Sequence, residues 1–440
     1  MSTDNQELLS PQALRRNYRL GVANGAAFRL SLALVDASIV LPWFVSQITS
    51  SKIVIGLLLP IQNAGWFLPQ LFIAPWVLRR RRRLPLYNAA CVVRGLFWAL
   101  MPLAAFIFGP GRPDLTLIGV LLGFAGYSFM GAVTGIAFTD LVGQGVEAGR
   151  RGTFFAWRNL TGGVLALGGS LVVSRMMGPQ APLAFPRNFG ALAALNLVVI
   201  IAMFVSLSFW REVDFPPDDG ASRGLSQAVW AILRSDRNLR GYLLTRILLT
   251  GAGVTTPFFV VRAAELGAPQ ALAGYFLAAY TASELASNLG WGRLADRLSY
   301  KLVIGLLAGL ALLQNLLVLA FRPTWPPALY LGVFVLLGII QGGWMVSSLT
   351  SLLEIAPPER RALYVGLANT VLGLATLLLP LGGILAQFCG LQPLMAVAAT
   401  LAAGGLASLA TWRDPRLAGR AAARGVPALS ASEGRISLGA

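Results

Sequence analysis

The sequence predicts an all-α polytopic membrane protein, with twelve transmembrane helices in two pseudo-symmetric six-helix bundles. Three observations predict it. Hydrophobic residues make up 56% of the 440 and charged residues only 12%, with a mean hydropathy of +0.68, whereas a soluble domain carries about 25% charge and about 45–50% apolar residues. Apolar stretches long enough to span a bilayer recur along the chain, separated by charged or Pro/Gly punctuation. The second half also repeats landmarks of the first in the same order. Twelve helices of ~20 residues use a little over half the chain and leave short loops and two tails.

The elements follow in order. Residues 1–21 form a polar cytoplasmic tail without the short apolar core of a secretory signal, so the first spanning helix is expected to act as the insertion signal. The expected spans are 22–45, 53–78, 84–108, 115–138, 153–177, 188–210, 240–261, 271–290, 302–321, 328–351, 363–386 and 394–412. Each must be a helix, because lipid offers no partner for backbone polar groups, and the alternating pattern of a membrane barrel is absent. They divide into an N-terminal bundle over 22–210 and a C-terminal bundle over 240–412, joined by a cytoplasmic loop over 211–239. In that loop Leu225, Ala228, Val229, Ile232 and Leu233 recur at helical spacing, which fits either an interfacial amphipathic helix or a solvated linker helix. The tail over 413–440 is rich in Ala, Gly, Arg and Ser and reads as disordered.

The net charge of +17, from 35 Lys+Arg against 18 Asp+Glu, looks at first like that of a nucleic-acid binder. Placing the cations on the spans removes that reading. With the N-terminus inside, 25 fall on the cytoplasmic side, six on the other and four inside spans. A monomeric multi-pass protein of a bacterial cytoplasmic membrane, with both termini cytoplasmic and no nucleic-acid partner, is expected. The run Arg79 to Arg83 is expected to contact anionic lipid headgroups. Two cysteines, Cys91 and Cys389, cannot make a disulfide framework or a four-cysteine metal site, and there is no histidine. No metal or other cofactor is expected.

Three matched points carry the internal repeat. Leu41–Pro42–Trp43–Phe44–Val45 corresponds to Thr256–Pro257–Phe258–Phe259–Val260; the basic loop Arg79–Arg83 to Arg297–Lys301; and Arg151 with Asn159 to Arg361 with Asn369, each pair eight residues apart. The segment Gly292–Arg293–Leu294–Ala295–Asp296–Arg297–Leu298–Ser299–Tyr300–Lys301 then resembles the loop signature G-x-L-A-D-R-x-G-R-K of the major facilitator superfamily, with Ser299 at the second glycine and Tyr300 at the first of the closing basic pair. The resemblance implies alternating-access transport, and a conformational latch at Gly292, Asp296, Arg297 and Lys301. A glycine at 292 suits close helix approach. The first-half copy departs from the pattern, with Leu78 at the aspartate position.

A charge at a membrane-helix centre is expensive, so each one suggests a cavity or a partner. The embedded acids are Asp36 and Glu284, and the embedded bases are Arg29, Arg94, Arg158 and Arg246. Arg29 and Asp36 share one helix face but stand about 10.5 Å apart along the axis, so each needs a partner on another helix. By the resemblance, Arg29, Asp36, Arg158, Arg246 and Glu284 lie in or near a central cavity, with Gln62, Asn63, Trp66, Tyr127, Gln341 and Trp344 on similar spans. Arg94 falls on a peripheral span and reads as structural, and Arg158 could also be a snorkelling anchor. Asp36 and Glu284 are the only embedded carboxylates suited to proton coupling.

The expected function is therefore secondary active transport of a small organic solute, coupled to protons. The mixed charges and aromatics suit an amphipathic, zwitterionic or anionic solute. Export is permitted, but the G-P-x-x-G-G element of resembled drug exporters is replaced by Val164–Leu165 ahead of Gly168–Gly169. No phosphate-binding Gly-x-x-x-x-Gly-Lys-Ser/Thr loop supports an ATP-driven pump, and no nucleophile–base pair supports an enzyme. The competing reading is a non-transporting relative of the same fold, acting as a membrane assembly factor or lipid handler.

Overall fold

The computed structural model describes residues 9–147, 150–179, 181–214, 232–269, 271–357 and 361–414. Among them the ordered elements are helices and short 3-10 turns. The helices are α1 Pro11–Leu34, α2 Val40–Ile48, α3 Lys52–Leu78, α4 Leu84–Ile107, α5 Pro113–Gly145, α6 Arg151–Met177, α7 Arg187–Ser208, α8 Arg237–Ala252, α9 Thr256–Glu265, α10 Leu272–Arg297, α11 Tyr300–Ala320, α12 Leu331–Ile355, α13 Arg361–Thr376, α14 Pro380–Cys389 and α15 Leu391–Ser408. Most of the stretch with helical spacing in the central loop, and all but two residues of the C-terminal tail, lie outside the described residues.

Nine stretches among the described residues are long and apolar enough to cross a membrane, against the twelve expected. Helices also occupy the other three positions. At the first, the chain is interrupted between α1 and α2; at the second stands α3; at the eighth, α10 carries Glu284, Arg293, Asp296 and Arg297.

Three spans are broken, and proline marks each break. Residues 35–39 separate α1 from α2, a 3-10 turn over Gly253–Thr255 separates α8 from α9, and turns over 377–379 separate α13 from α14. Pro42, Pro257 and Pro380 stand in the first turn of the following helix. There the missing N–H costs nothing, while the ring clashes with a carbonyl one turn back and stops continuous helix. The two segments matched in sequence, at Pro42 and Pro257, are thus matched as half-helices.

The pairings of the first part recur in the second. α4 packs on α5 and α7, α3 on α5, and α1 on α7; correspondingly α11 packs on α12 and α15, α10 on α12, and α8 on α15. Between the parts, α6 lies on α10, α3 on α13 and α14, and α2 on α9.

The cores are arranged unequally. At one end a single apolar cluster runs through both parts, with Trp43 6.2 Å from Phe276, Phe44 stacked on Phe189 at 3.7 Å and Phe276 stacked on Phe334 at 4.3 Å. At the other end the clusters are separate: one around Tyr87, Phe154, Leu207 and Trp210, another around Tyr242, Leu367 and Trp412, and a third around Trp291, Tyr300 and Leu307.

The shared end is sealed by backbone. A Cβ on Gly56 would come 2.7 Å from Gly383 Cα, and one on Gly383 would come 2.9 Å from the Lys52 carbonyl oxygen. Small residues permit helix approach this close. Ser174 Oγ donates to the Ala271 carbonyl at 2.9 Å, Lys52 N–H donates to Gln387 Oε1 at 2.7 Å, and Lys52 Nζ lies 3.4 Å from Glu265.

Each part closes on itself in the same way. Asn17 Nδ2 donates to the Arg211 carbonyl at 2.8 Å and its Oδ1 accepts from Arg211 N–H at 2.9 Å; Asn238 makes the same reciprocal pair with Arg413, at 3.0 and 2.6 Å. The tryptophan before each arginine lies against a glycine of the first helix, Trp210 at Gly21 and Trp412 at Gly241. The following acid completes the first clasp: Glu212 accepts from the N–H groups of Arg83 and Leu84 at the start of α4. In the second, Lys301 Nζ donates to the Trp412 carbonyl at 2.7 Å.

Candidate functional site

Two of the embedded charges, Arg29 and Glu284, come together where the two parts meet. Arg29, on α1, reaches Glu284 on α10 through two contacts, Nη2 to Oε1 at 2.6 Å and Nη1 to Oε2 at 3.5 Å. Glu284 is 2% exposed and Arg29 21%. Such a fork-to-carboxylate pair is directional as well as strong. It supplies the partner on another helix that both residues require.

Glycine positions the cation. A Cβ on Gly162 of α6 would lie 2.7 Å from Arg29 Cβ, so the arginine stem runs across that glycine. The reciprocal contact stands one turn away, where the Arg158 stem of α6 fills the place of a Cβ on Gly25 of α1. Gly25 and Arg29, like Arg158 and Gly162, are four residues apart, hence on one helix face. Arg158 continues to Asn24 Oδ1 at 3.2 Å and lies over Phe138 at 4.3 Å.

Asp36 occupies the break between α1 and α2. Its Oδ1 accepts from Ser38 N–H at 2.8 Å, so it stabilises the turn that interrupts the span. Tyr280 stands one turn before Glu284 and lies within electrostatic range of Arg29, Asp36 and Glu284. Tyr280, Gly25 and Gly162 were not expected from the sequence. The mirrored Gly-x-x-x-Arg and Arg-x-x-x-Gly spacings were the available signal for the two glycines.

The remaining predicted residues fall into other groups. Tyr127 is buried on α5 with Arg94 over its ring at 4.0 Å and Trp98 at 4.6 Å, so it belongs to the Arg94 cluster and not to the Arg29 site. Arg94 donates to the Tyr127 carbonyl and to Thr134 Oγ1, both at 3.1 Å, and lies 5.5 Å over Trp66, the arrangement of a structural arginine. Arg246 on α8 lies over Trp344 of α12 at 4.2 Å. Gln341 is exposed on α12, and Gln62 and Asn63 are half-buried on α3.

A family profile described as the Major Facilitator Superfamily matches residues 243–436. Solved structures of the same fold include the nucleoside transporter NupG, with a TM-score of 0.70, 13% identity, and coverage of 90% of this chain and 100% of that one. A bacterial homologue of the iron transporter ferroportin in an inward-facing state has a TM-score of 0.64 at 15% identity, covering 92% and 99%. A protein of Mycobacterium tuberculosis of uncharacterized function is 28% identical over 417 residues, 90% of this chain and 76% of the relative.

The major facilitator loop signature departs from expectation at two places. A Cβ at Gly292 would meet open space, so this glycine does not serve close helix approach. Lys301 is engaged with the end of the chain, through the Trp412 carbonyl and with its Nζ 5.2 Å over the Trp412 ring. Asp296 and Arg297 are exposed at the end of α10, and Ser299 caps α11 by accepting from Leu302 N–H at 3.0 Å. In the first-half loop, Arg83 is 2% exposed and its Nε lies 3.2 Å from Asp140 Oδ2 at the far end of α5, while Arg82 pairs with Asp214 at 2.8 Å. Arg83 is therefore not available to lipid headgroups, a correction to the expectation for the whole run.

Glu212 at this loop is half-buried, and burial pushes its carboxyl above the usual range despite the two backbone donors.

Proposed function

We propose that this chain is a major facilitator protein that carries a small organic solute across the cytoplasmic membrane by proton-coupled alternating access. Twelve spans, grouped as bundles over 22–210 and 240–412, would rock about the interface described above. One observation carries the reading: a buried, bidentate ion pair, Arg29–Glu284, bridges the two parts beside a helix break. Protonating Glu284 removes the charge that holds Arg29, so proton binding and separation of the bundles become one event. Asp36, at the break in the first span, is the second carboxylate able to take part.

The positive-inside count puts the separated cores on the cytoplasmic side and the Gly56–Gly383 seal on the other. The described arrangement then corresponds to the inward-facing limb of the cycle, with the Asp296–Arg297 loop as the latch of the opposite limb.

The test uses proteoliposomes with an internal pH-sensitive dye and a panel of solutes. Solute-dependent proton flux is expected from the wild type and is lost in Glu284→Gln and Asp36→Asn, with both variants still folded by size exclusion. Full coupling retained in both variants would sink the assignment. Failure of every solute to move, with a co-purifying partner, would favour the assembly-factor reading instead.

A further inference from the structure

Of the four embedded arginines, three are accounted for by the protein itself. Arg29 has Glu284. Arg94 has the Tyr127 carbonyl, Thr134 and two aromatic rings. Arg158 has Asn24 and the Phe138 ring. Arg246 differs: it lies over Trp344, and its buried Nη1 has no acceptor among the described residues. The embedded acids are committed elsewhere, Glu284 to Arg29 and Asp36 to the Ser38 backbone. A guanidinium whose buried nitrogen lacks an acceptor is costly, and among the described residues Arg246 makes no hydrogen bond or ion pair in return.

The surroundings hold this cation in place. One turn before it, Tyr242 Oη donates to the Ser348 carbonyl at 2.9 Å and lies 3.2 Å from Ser351 Oγ, fixing α8 against α12. The adjacent Thr245 is bonded to Ser408 at 2.7 Å and to Trp412 Nε1 at 3.1 Å. Seven residues further on, α8 breaks at Gly253, and interrupted helices are where transporter sites form. A guanidinium held over an indole presents a planar fork, which matches the two oxygens of a carboxylate or phosphate better than any neutral group.

We propose that Arg246 and Trp344 form the recognition site for an organic anion, with the guanidinium taking a carboxylate or phosphate and the indole face covering part of the apolar body. The inference rests on the transport reading only for its purpose, since binding requires no movement of the bundles.

The test is thermal stability of purified full-length protein in non-ionic detergent. The probes are monocarboxylates, dicarboxylates, amino acids and phosphate monoesters, each beside its uncharged amide or alcohol counterpart, with phosphatidylglycerol as a separate arm. At ~100 times Kd, an anion that binds the folded state is expected to raise the melting temperature by about 3 °C, and the uncharged counterparts are not. Arg246→Gln should weaken the apparent affinity at least about 30-fold, while Arg246→Lys keeps part of the effect.

Ligand-free Arg246→Met should melt no more than about 1 °C below the wild type, because no acceptor is lost. The proposal is overturned if no soluble anion shifts the wild type, if only phosphatidylglycerol does, or if the shift survives Arg246→Gln. A large ligand-free destabilisation in Arg246→Met would make the residue structural and overturn it equally. Binding without solute flux in proteoliposomes would instead remove the transport reading and leave the site standing; proton-coupled flux of neutral or cationic solutes alone would do the reverse.

Discussion

The two ends of the Arg29–Glu284 pair are unequally buried, and that asymmetry predicts unequal mutant costs. Removing one partner of a buried pair leaves an uncompensated charge and typically costs about 3–5 kcal/mol. Arg29→Met strands Glu284, which is 2% exposed, whereas Glu284→Gln strands Arg29, which keeps 21% exposure and a flexible stem. The first should therefore fall near about 4 kcal/mol and the second near about 2. With about 2.1 cal/mol/K of unfolding entropy per residue over 440 residues, each kcal/mol moves the melting temperature by about 1 °C. Arg29→Met should thus melt ~4 °C and Glu284→Gln ~2 °C below the wild type. The double variant should lose less than the two added together, because neither charge is left alone. Thermal melts of the four proteins in one detergent measure the cycle. Additive losses, or a larger loss in Glu284→Gln than in Arg29→Met, would refute the reasoning.

Four further outcomes follow from packing, capping and titration. Gly383→Ala presses a methyl group onto backbone at Lys52 and Ile53, where no side chain can yield; spin labels placed across that end should report a wider separation than in the wild type. Gly25→Ala must displace Arg158 from Asn24 and Phe138, costing about 1–3 kcal/mol, and adding Arg158→Ala should recover most of the loss in a thermal melt. Glu212→Ala removes the acceptor from the start of α4 and should cost about 1 kcal/mol. For Glu212→Gln the sign is set by the raised carboxyl pKa: the folded state favours the protonated acid, so native stability falls as pH rises from the usual carboxylate value through the folded one. Melts across that range should find Glu212→Gln gaining on the wild type with rising pH.

Much of the architecture was legible because lipid leaves few options. Length and hydropathy located helices, whereas the Pro42 and Pro257 segments read as matched repeats within continuous spans and the breaks they mark are seen only in the structure. What stayed hidden was azimuth. A helix such as α5, apolar on every side, carries no polar stripe to say which face meets which neighbour, so Tyr127 was grouped with the central residues although it turns toward Arg94 and Trp98. The Arg29–Glu284 contact joins residues 255 positions apart; the need for a partner could be read, but its identity depends on how two bundles dock. Local motifs also misled. Gly292 fits a loop signature, yet a Cβ there would meet open space, while the Trp-Arg-acid triplets at 210–212 and 412–414 close each part without belonging to that signature.

Those triplets bear on how the chain is built. Each ties the last helix of its own part to the first helix through an asparagine, so each part has a finished hem and borrows nothing for it from the other. Continuity of the polypeptide is then not what holds either bundle shut. A chain cut within 215–231 should yield two fragments that close separately and, expressed together, meet again at the sealed end.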